Sequence, residues 1–262
     1  MNLDKLDLSL VPETMLQTVY ARAKETKRQR GFINDDKAVS IIDSLNYDFS
    51  KADTDKTMET GVIARTVLLD KLVKDYLANH QDVTVINIAC GLDTRCYRFD
   101  NYKAWYNLDL EETMRIRRHF FNEDDKHFQI SASAMDETWA NNIKDKTNIL
   151  VIVEGLSMYL KEADIKKIFK IINDNFNDVT VMVEVMNPWV VKHVKEKSIG
   201  AKFNWGVKNG RELEKVIPDF KALNDYSLCE GMKVFIPIYK LLSKISFIAN
   251  ISNKIIVLKK QS

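Results

Sequence analysis

Short apolar runs that alternate with helical segments constrain the fold more than any other feature of this chain. Five of them predict strands: V-T-V-I-N-I (83–88), K-A-W-Y-N-L (103–108), H-F-Q-I (127–130), N-I-L-V-I-V (148–153) and V-T-V-M-V-E-V (179–185). Helical periodicity falls between them at 111–121 and 162–175. Since crossover helices cover both faces of a parallel sheet, this order predicts a doubly wound α/β fold.

The ends of the chain differ from this middle part. Helices are predicted over 13–30, 37–45 and 61–78, so residues 1–80 are interpreted as a helical cap or extension and 81–262 as the core. After a helix at 210–217, K-A-L-N-D-Y-S-L and S-N-K-I-I-V-L predict two strands. We expect a short connection between them, an antiparallel pair at one sheet edge, and a mostly parallel sheet of seven strands.

The segment near 187–209 fits no clean period. It places Trp189, Phe203 and Trp205 among lysines. Two interpretations stay open: a lid over a substrate, or a helix packed on the core with its lysines in solvent.

Charge and cysteine content narrow the functional classes. Lys and Arg number 39 and Asp and Glu 37, a net charge of +2, which does not indicate a dedicated nucleic-acid binder. Three cysteines at 90, 96 and 229 favour a reducing cytoplasm over a disulfide framework, and their spacing indicates no zinc site. No apolar run reaches the ~18 residues of a membrane-spanning helix.

Three residues follow predicted strands at the edge where doubly wound sheets bind ligands. Gly91 follows the first strand, Asp109 ends the second and Glu154 follows the fourth. Gly91 can also be an ordinary turn, and Asp109 can cap the next helix together with Glu112. Glu154 needs a partner or a ligand, because an isolated carboxylate is costly to bury.

The loop after the first strand, A-C-G-L-D-T, lacks the G-x-G-x-x-G pattern that cradles a pyrophosphate. An acid about 20 residues beyond a glycine turn is typical of a site that holds a ribose diol. Together these features favour a nucleoside ligand without phosphates.

Four stretches in this order resemble the leucine carboxyl methyltransferase family, including its bacterial polyketide O-methyltransferase-like branch. They are G-V-I-A-R-T-V-L-L-D-K-L (61–72), V-I-N-I-A-C-G-L-D-T-R-C-Y-R (85–98), W-Y-N-L-D-L-E-E-T (105–113) and L-V-I-V-E-G-L-S-M-Y-L (150–160). The resemblance spans roughly residues 20–230. It implies a Rossmann-like fold and S-adenosylmethionine as cofactor.

The resemblance also implies roles for individual residues. Arg65, and by a looser match Lys24, would reach the methionine carboxylate of the cofactor. The backbone around Ala89 and Gly91 would lie against it, Asp109 would hold the ribose and Glu154 would sit near the sulfonium.

The sequence departs from the family pattern at several positions, including a missing proline after Asp109, and two departures bear directly on the cofactor. Ala89 replaces a glycine, and we expect close approach there only with a negative φ. Ser133 and Ala134 replace an aspartate-leucine pair near the adenine. Either the serine or Asp136 would then hold the adenine amine.

The leading hypothesis is an O-methyltransferase that acts on a carboxylate or hydroxyl of a small molecule, with Tyr159 orienting the acceptor oxygen. The alternatives are a non-catalytic S-adenosylmethionine-binding module and a nicotinamide-dependent oxidoreductase. No membrane or nucleic-acid partner is expected, and the oligomeric state stays open.

Overall fold

The computed structural model describes residues 13–194, 202–242 and 251–261. Its N-terminal part is helical, as predicted, with α1 Glu13–Lys27, α2 Asp36–Asp43, α3 Ser50–Thr54 and α4 Lys56–Asn79. α4 begins before the predicted residue 61 because Asp55 caps it, accepting a hydrogen bond from the Met58 amide at 2.9 Å. α3 was not predicted, since five residues are too few to show a helical period.

The sheet has seven strands, and all seven were predicted. Their bounds are β1 Thr84–Ile88, β2 Ala104–Asp109, β3 His127–Ser131, β4 Ile149–Val153, β5 Val179–Val185, β6 Phe220–Ser227 and β7 Lys254–Lys260. They lie in the order β3-β2-β1-β4-β5-β7-β6, and β7 pairs antiparallel with both of its neighbours. This confirms a mostly parallel, doubly wound sheet with an antiparallel edge. The strand order reverses between β1 and β4, where a crevice opens at the carboxyl edge.

Helices cover both faces of the sheet. The remaining helices are α5 Glu111–Phe120, α6 Glu162–Asn175, α7 Pro188–His193, α8 Gly210–Val216, α9 Cys229–Phe235 and α10 Tyr239–Leu242. On one face Val151 and Val181 pack with Ile168 of α6, and on the other Leu150 packs with Leu69 of α4. Each fully buried aliphatic side chain contributes roughly 1.5–3 kcal/mol to folding. The buried strands β1 and β4 therefore form a rigid support for the loops at their carboxyl ends.

The connection between β6 and β7 is not short, which corrects the prediction. It runs through α9 and α10, and residues 243–250 lie outside the described chain. α9 packs closely on α4, since a methyl group added to Gly231 would lie 2.0 Å from the Ala64 carbonyl oxygen. The packing of α9 on α4 holds this long connection against the sheet, so that β6 and β7 pair as neighbours.

Part of the 187–209 segment is described. α7 is capped by Asn187, and Trp189 is 54% exposed. Phe203 and Trp205 are buried, while residues 195–201 lie outside the described chain. Across the described ranges, no helix has the length and apolar character needed to cross a bilayer.

Candidate active site

A cavity of about 520 Å³ opens at the carboxyl edge of the sheet, between the strand ends and the helices α1 and α4. Its volume lies within the roughly 300–1,000 Å³ typical of small-molecule sites. Six of the residues predicted for the site line it, namely Arg65, Ala89, Gly91, Asp109, Glu154 and Tyr159. They come from widely separated parts of the sequence, and the strand order brings them together.

The loop after β1 turns through two residues with left-handed backbones. Ala89 has φ of +54° and Gly91 has φ of +49°. The negative φ that we set as the condition for close approach at Ala89 is therefore not present. The loop keeps the curvature that a glycine would provide, and the alanine carries the steric cost of that conformation. At Gly91 an added methyl group would lie 3.3 Å from the Met15 side chain, so α1 packs directly over the loop.

Asp109 connects the loop to β2. Its carboxylate accepts hydrogen bonds from the Gly91 amide at 2.8 Å and the Leu110 amide at 2.7 Å. Burial raises the pKa of Asp109, and these amide donors act against that shift. The N-cap of α5 is Leu110, so Asp109 faces the loop and the cavity and does not cap the helix.

Glu154 has the partners that its burial demanded. Its two carboxylate oxygens lie 2.5 Å from Arg65 Nε and 2.5 Å from Arg95 Nη1. Burial acts to raise the pKa of Glu154, but the charges of Arg95 and Arg65 outweigh it and hold this pKa below its ordinary value. Arg65 also pairs with Glu184 at 3.1 Å, and Glu184 accepts the Gly155 amide at 2.9 Å.

Four charged residues of this wall were not predicted, and one of them, Asp93, belongs to the loop after β1. Arg95 lies in the D-T-R stretch already singled out, and Glu184 is the one acid in an otherwise apolar strand, a pattern that signals a buried partner. Nothing in the sequence around Arg22 indicates that it lies in a site. It bonds Asp35 at 2.9 Å and the Leu92 carbonyl at 3.0 Å, which ties α1 to the loop.

The cavity also has an apolar part, which lies in the segments beyond Glu154 and Glu184. Met158, Met186 and Phe203 form a buried cluster there, and the ring of Tyr159 lies 5.5 Å from that of Phe203. The Asn204 side chain donates to the Tyr159 carbonyl at 2.8 Å, which joins the segment after residue 201 to this wall. In the described ranges no group of three His, Cys, Asp or Glu side chains is arranged to hold a metal ion.

Comparison with known proteins identifies the family. The family model described as leucine carboxyl methyltransferase matches residues 15–173, which is more than half of the chain. The chain belongs to the leucine carboxyl methyltransferase family.

Two curated relatives agree with this family. The tetracenomycin polyketide synthesis O-methyltransferase TcmP of Streptomyces glaucescens is 30% identical, over 87% of each chain. The S-adenosyl-L-methionine-dependent methyltransferase dpfgK of Gibberella zeae is 26% identical over 85% of this chain and 86% of its own. The chain is therefore a methyltransferase that uses S-adenosylmethionine, as the resemblance implied.

Solved structures show the same fold at low sequence identity. Magnesium protoporphyrin IX methyltransferase from Synechocystis, with bound S-adenosylhomocysteine, covers 79% of this chain and 88% of its own, at 7% identity and a TM-score of 0.52. The mycolic acid cyclopropane synthase CmaA1 covers 76% and 85%, at 9% identity and a TM-score of 0.51. These neighbours confirm the Rossmann-like methyltransferase fold.

The net charge of the cavity wall is opposite in sign to the net charge of the cofactor. Three arginines and four carboxylates line the wall: Arg22, Arg65, Arg95, Asp93, Asp109, Glu154 and Glu184. The wall thus carries one net negative charge, and S-adenosylmethionine carries one net positive charge, because its amino-acid end is zwitterionic and its sulfur is a sulfonium.

Four predicted contacts lie outside this cavity wall. Lys24 pairs with Asp53 and with Glu59, at 3.3 Å from the latter, and does not line the cavity, although Arg22 of the same helix does. Ser133 Oγ accepts the Met135 amide at 3.2 Å, and the Ala134 carbonyl accepts the Trp139 indole at 3.2 Å. Asp136 caps the turn that follows, accepting the Thr138 amide at 3.0 Å. Local turn geometry occupies these residues after β3.

Proposed function

We propose that this enzyme transfers the methyl group to a hydroxyl or carboxylate oxygen of a small, largely apolar molecule. The observation that supports this is the division of one cavity into two walls. Charged and backbone groups lie at the strand ends and on α1 and α4, whereas Met158, Met186 and Phe203 form a separate apolar part of the wall. A cofactor and an acceptor of different polarity match these two walls.

The polar wall would hold the cofactor. Asp109 would accept hydrogen bonds from the ribose hydroxyls, and the backbone at Ala89 and Gly91 would lie against the nucleoside. Arg65 would bind the methionine carboxylate, with Glu154 beside the same end of the ligand. When bound, S-adenosylmethionine supplies an electrophilic methyl group on a sulfonium.

The apolar wall would bind the acceptor and exclude water. Met158, Met186 and Phe203 present side chains without charge, a surface suited to an aromatic or aliphatic skeleton. Tyr159, beside Phe203, would orient the oxygen that receives the methyl group. The described parts of the 187–209 segment, residues 187–194 and 202–209, would form a lid over this wall. Since methyl transfer is an in-line displacement, alignment in a dry site is the main contribution that the protein makes.

The relatives support a small-molecule acceptor. TcmP is an O-methyltransferase of tetracenomycin polyketide synthesis, and it matches nearly the whole of this chain. We extend that chemistry to this protein as an oxygen acceptor on an apolar skeleton. The three cysteines are free and buried, which supports a reducing, cytoplasmic location.

Calorimetric titration with S-adenosylmethionine, S-adenosylhomocysteine and NADH tests the cofactor. We expect micromolar binding of the first two and none of NADH. Binding of NADH alone would support an oxidoreductase and refute the proposal. Binding of S-adenosylmethionine without turnover on any acceptor would favour the non-catalytic module.

The acceptor is tested with a panel of polycyclic phenols and aliphatic or aromatic carboxylates. Mass spectrometry should detect a product in which a methyl group replaces the acceptor proton. Tyr159→Phe should lower turnover and leave S-adenosylhomocysteine affinity unchanged. Tyr226→Phe, on the edge strand β6, is the matched control and should change neither quantity. Equal behaviour of the two variants would remove Tyr159 from the acceptor site.

A further inference from the structure

Gln17 lines the cavity, and the oxygen of its side-chain amide has no hydrogen-bond partner among the described residues. The residue is 4% exposed, and this Oε1 atom is fully buried. A buried polar atom without a partner is rare in folded proteins, because it loses its water and gains nothing in return. Because Gln17 lines the cavity, a bound ligand is one source of the missing partner.

Helical geometry places Gln17 on a defined side of α1. Gln17 and Lys24 are seven residues apart, which puts them on one face two turns apart, and Lys24 pairs with Glu59 of α4. Met15 and Arg22 are also seven residues apart, and they contact the loop after β1 at Gly91 and Leu92. α1 therefore crosses the cavity with one face on the loop and another, which carries Gln17, towards α4.

The polar groups around this part of the cavity suit an amino-acid ligand. Arg65 of α4, which also pairs with Glu154 and Glu184, supplies a guanidinium group that attracts a carboxylate. The carboxamide of Gln17 is neutral and has an acceptor and a donor side by side. Its Oε1 can accept from an ammonium group while its Nε2 donates to the neighbouring carboxylate.

We infer that Gln17 is a binding residue for the amino-acid end of S-adenosylmethionine, and that its Oε1 accepts a hydrogen bond from the ligand's ammonium group. The inference rests on the proposed cofactor site and adds to it a residue from the N-terminal helix. The contact from α1 would then favour a ligand that carries the amino-acid end over a nucleoside that lacks it.

Two ligands separate this role from general support of the cavity. S-adenosylhomocysteine carries the amino-acid end, and methylthioadenosine lacks it. Gln17→Met keeps the length and burial of the side chain and removes its polar atoms. By calorimetry, the variant should bind S-adenosylhomocysteine roughly tenfold more weakly and methylthioadenosine with unchanged affinity.

The stability of the ligand-free protein gives a second readout. Removing an unpartnered buried oxygen should raise Tm by roughly 2–4 °C. A residue that only supports the fold would lower Tm when changed. Gln129→Met is the matched control, because Gln129 Oε1 is also buried without a partner among the described residues and does not line the cavity. The control should leave both affinities unchanged.

Each other outcome overturns the inference. Unchanged affinity for S-adenosylhomocysteine would show that Gln17 does not contact the ligand. An equal loss for both ligands, with a lower Tm, would show that it maintains the cavity shape. If the unaltered protein binds neither ligand, the proposed cofactor site fails together with the inference.

Discussion

Ala89→Gly should stabilise the protein, although a substitution of alanine by glycine normally lowers the free energy of unfolding. Ala89 has φ of +54°, in the left-handed region that disfavours any residue with a Cβ atom. That conformation costs an alanine about 1–2 kcal/mol. Glycine loses more backbone entropy on folding, about 0.5–1 kcal/mol. The difference predicts a gain of roughly 0.5–1 kcal/mol in the free energy of unfolding, or a Tm rise of about 2 °C for a chain of this size.

Urea unfolding and calorimetry measure this difference directly. Ala163→Gly is the matched control, because Ala163 is exposed in the helix α6, where glycine should cost roughly 0.5–1 kcal/mol. The same substitution is therefore expected to have opposite signs at the two sites. If both variants lose stability equally, the backbone at Ala89 is not left-handed and the description of the loop is incorrect.

This alanine also bears on the site itself. Backbone strain of this kind persists where the surrounding structure enforces it, and it concentrates at ligand-binding loops. Here the enforcing contacts are the hydrogen bond from the Gly91 amide to Asp109 and the packing of Met15 over the loop. The strain supports the assignment of this loop to the cofactor wall.

Three further predictions concern the site and its supports. Asp109→Asn should weaken S-adenosylhomocysteine binding by about 10–100-fold in calorimetry, since the variant loses charge-assisted hydrogen bonds. Glu111→Gln, at an exposed residue, is the control and should leave the affinity unchanged. Equal affinities of the two variants would remove Asp109 from the site. Gly231→Ala should lower the free energy of unfolding by several kcal/mol, because its methyl group would lie 2.0 Å from the Ala64 carbonyl oxygen. Gly61→Ala has open space and should be neutral or stabilising in the same urea assay. The free energy of unfolding should fall as the pH drops below about 4.3, because there Glu154 gains its proton in the unfolded chain before it does so in the folded one. Glu154→Gln should make the free energy of unfolding depend less steeply on pH in this range. An unchanged pH dependence would mean that Arg95 and Arg65 do not lower the pKa of Glu154.

Much of the fold was predictable because its strands are buried on both faces. Every residue of β1, β4 and β5 is buried, and these runs, in which apolar residues predominate, stand out from the amphipathic helices between them. The exceptions were short or locally irregular. α3, α9 and α10 have four to seven residues, too few to show a period, and the connection from β6 to β7 consequently seemed short.

The site residues that could be predicted are those that end or follow a strand. Gly91, Asp109 and Glu154 each come directly after or at the end of an apolar run, so their meeting at one edge follows from parallel strand order. Lys24 lies outside the cavity because it is about 200° of helical rotation from Arg22, on a face that pairs with Asp53 and Glu59. Arg22 and Gln17 reach the wall from the same helix, and nothing in their local sequence distinguishes them from surface residues.

The sequence by itself determined the elements, their order and the carboxylates at the strand ends, because hydrophobic periodicity and strand termini are local properties. Only the tertiary structure decided which charges pair and which residues of α1 face the cavity. Those outcomes depend on how α1 and α4 cross the sheet edge, and this crossing is set by side-chain packing between residues far apart in the chain. The left-handed backbone of Ala89 is likewise imposed by contacts with Asp109 and α1 rather than by its own residue type.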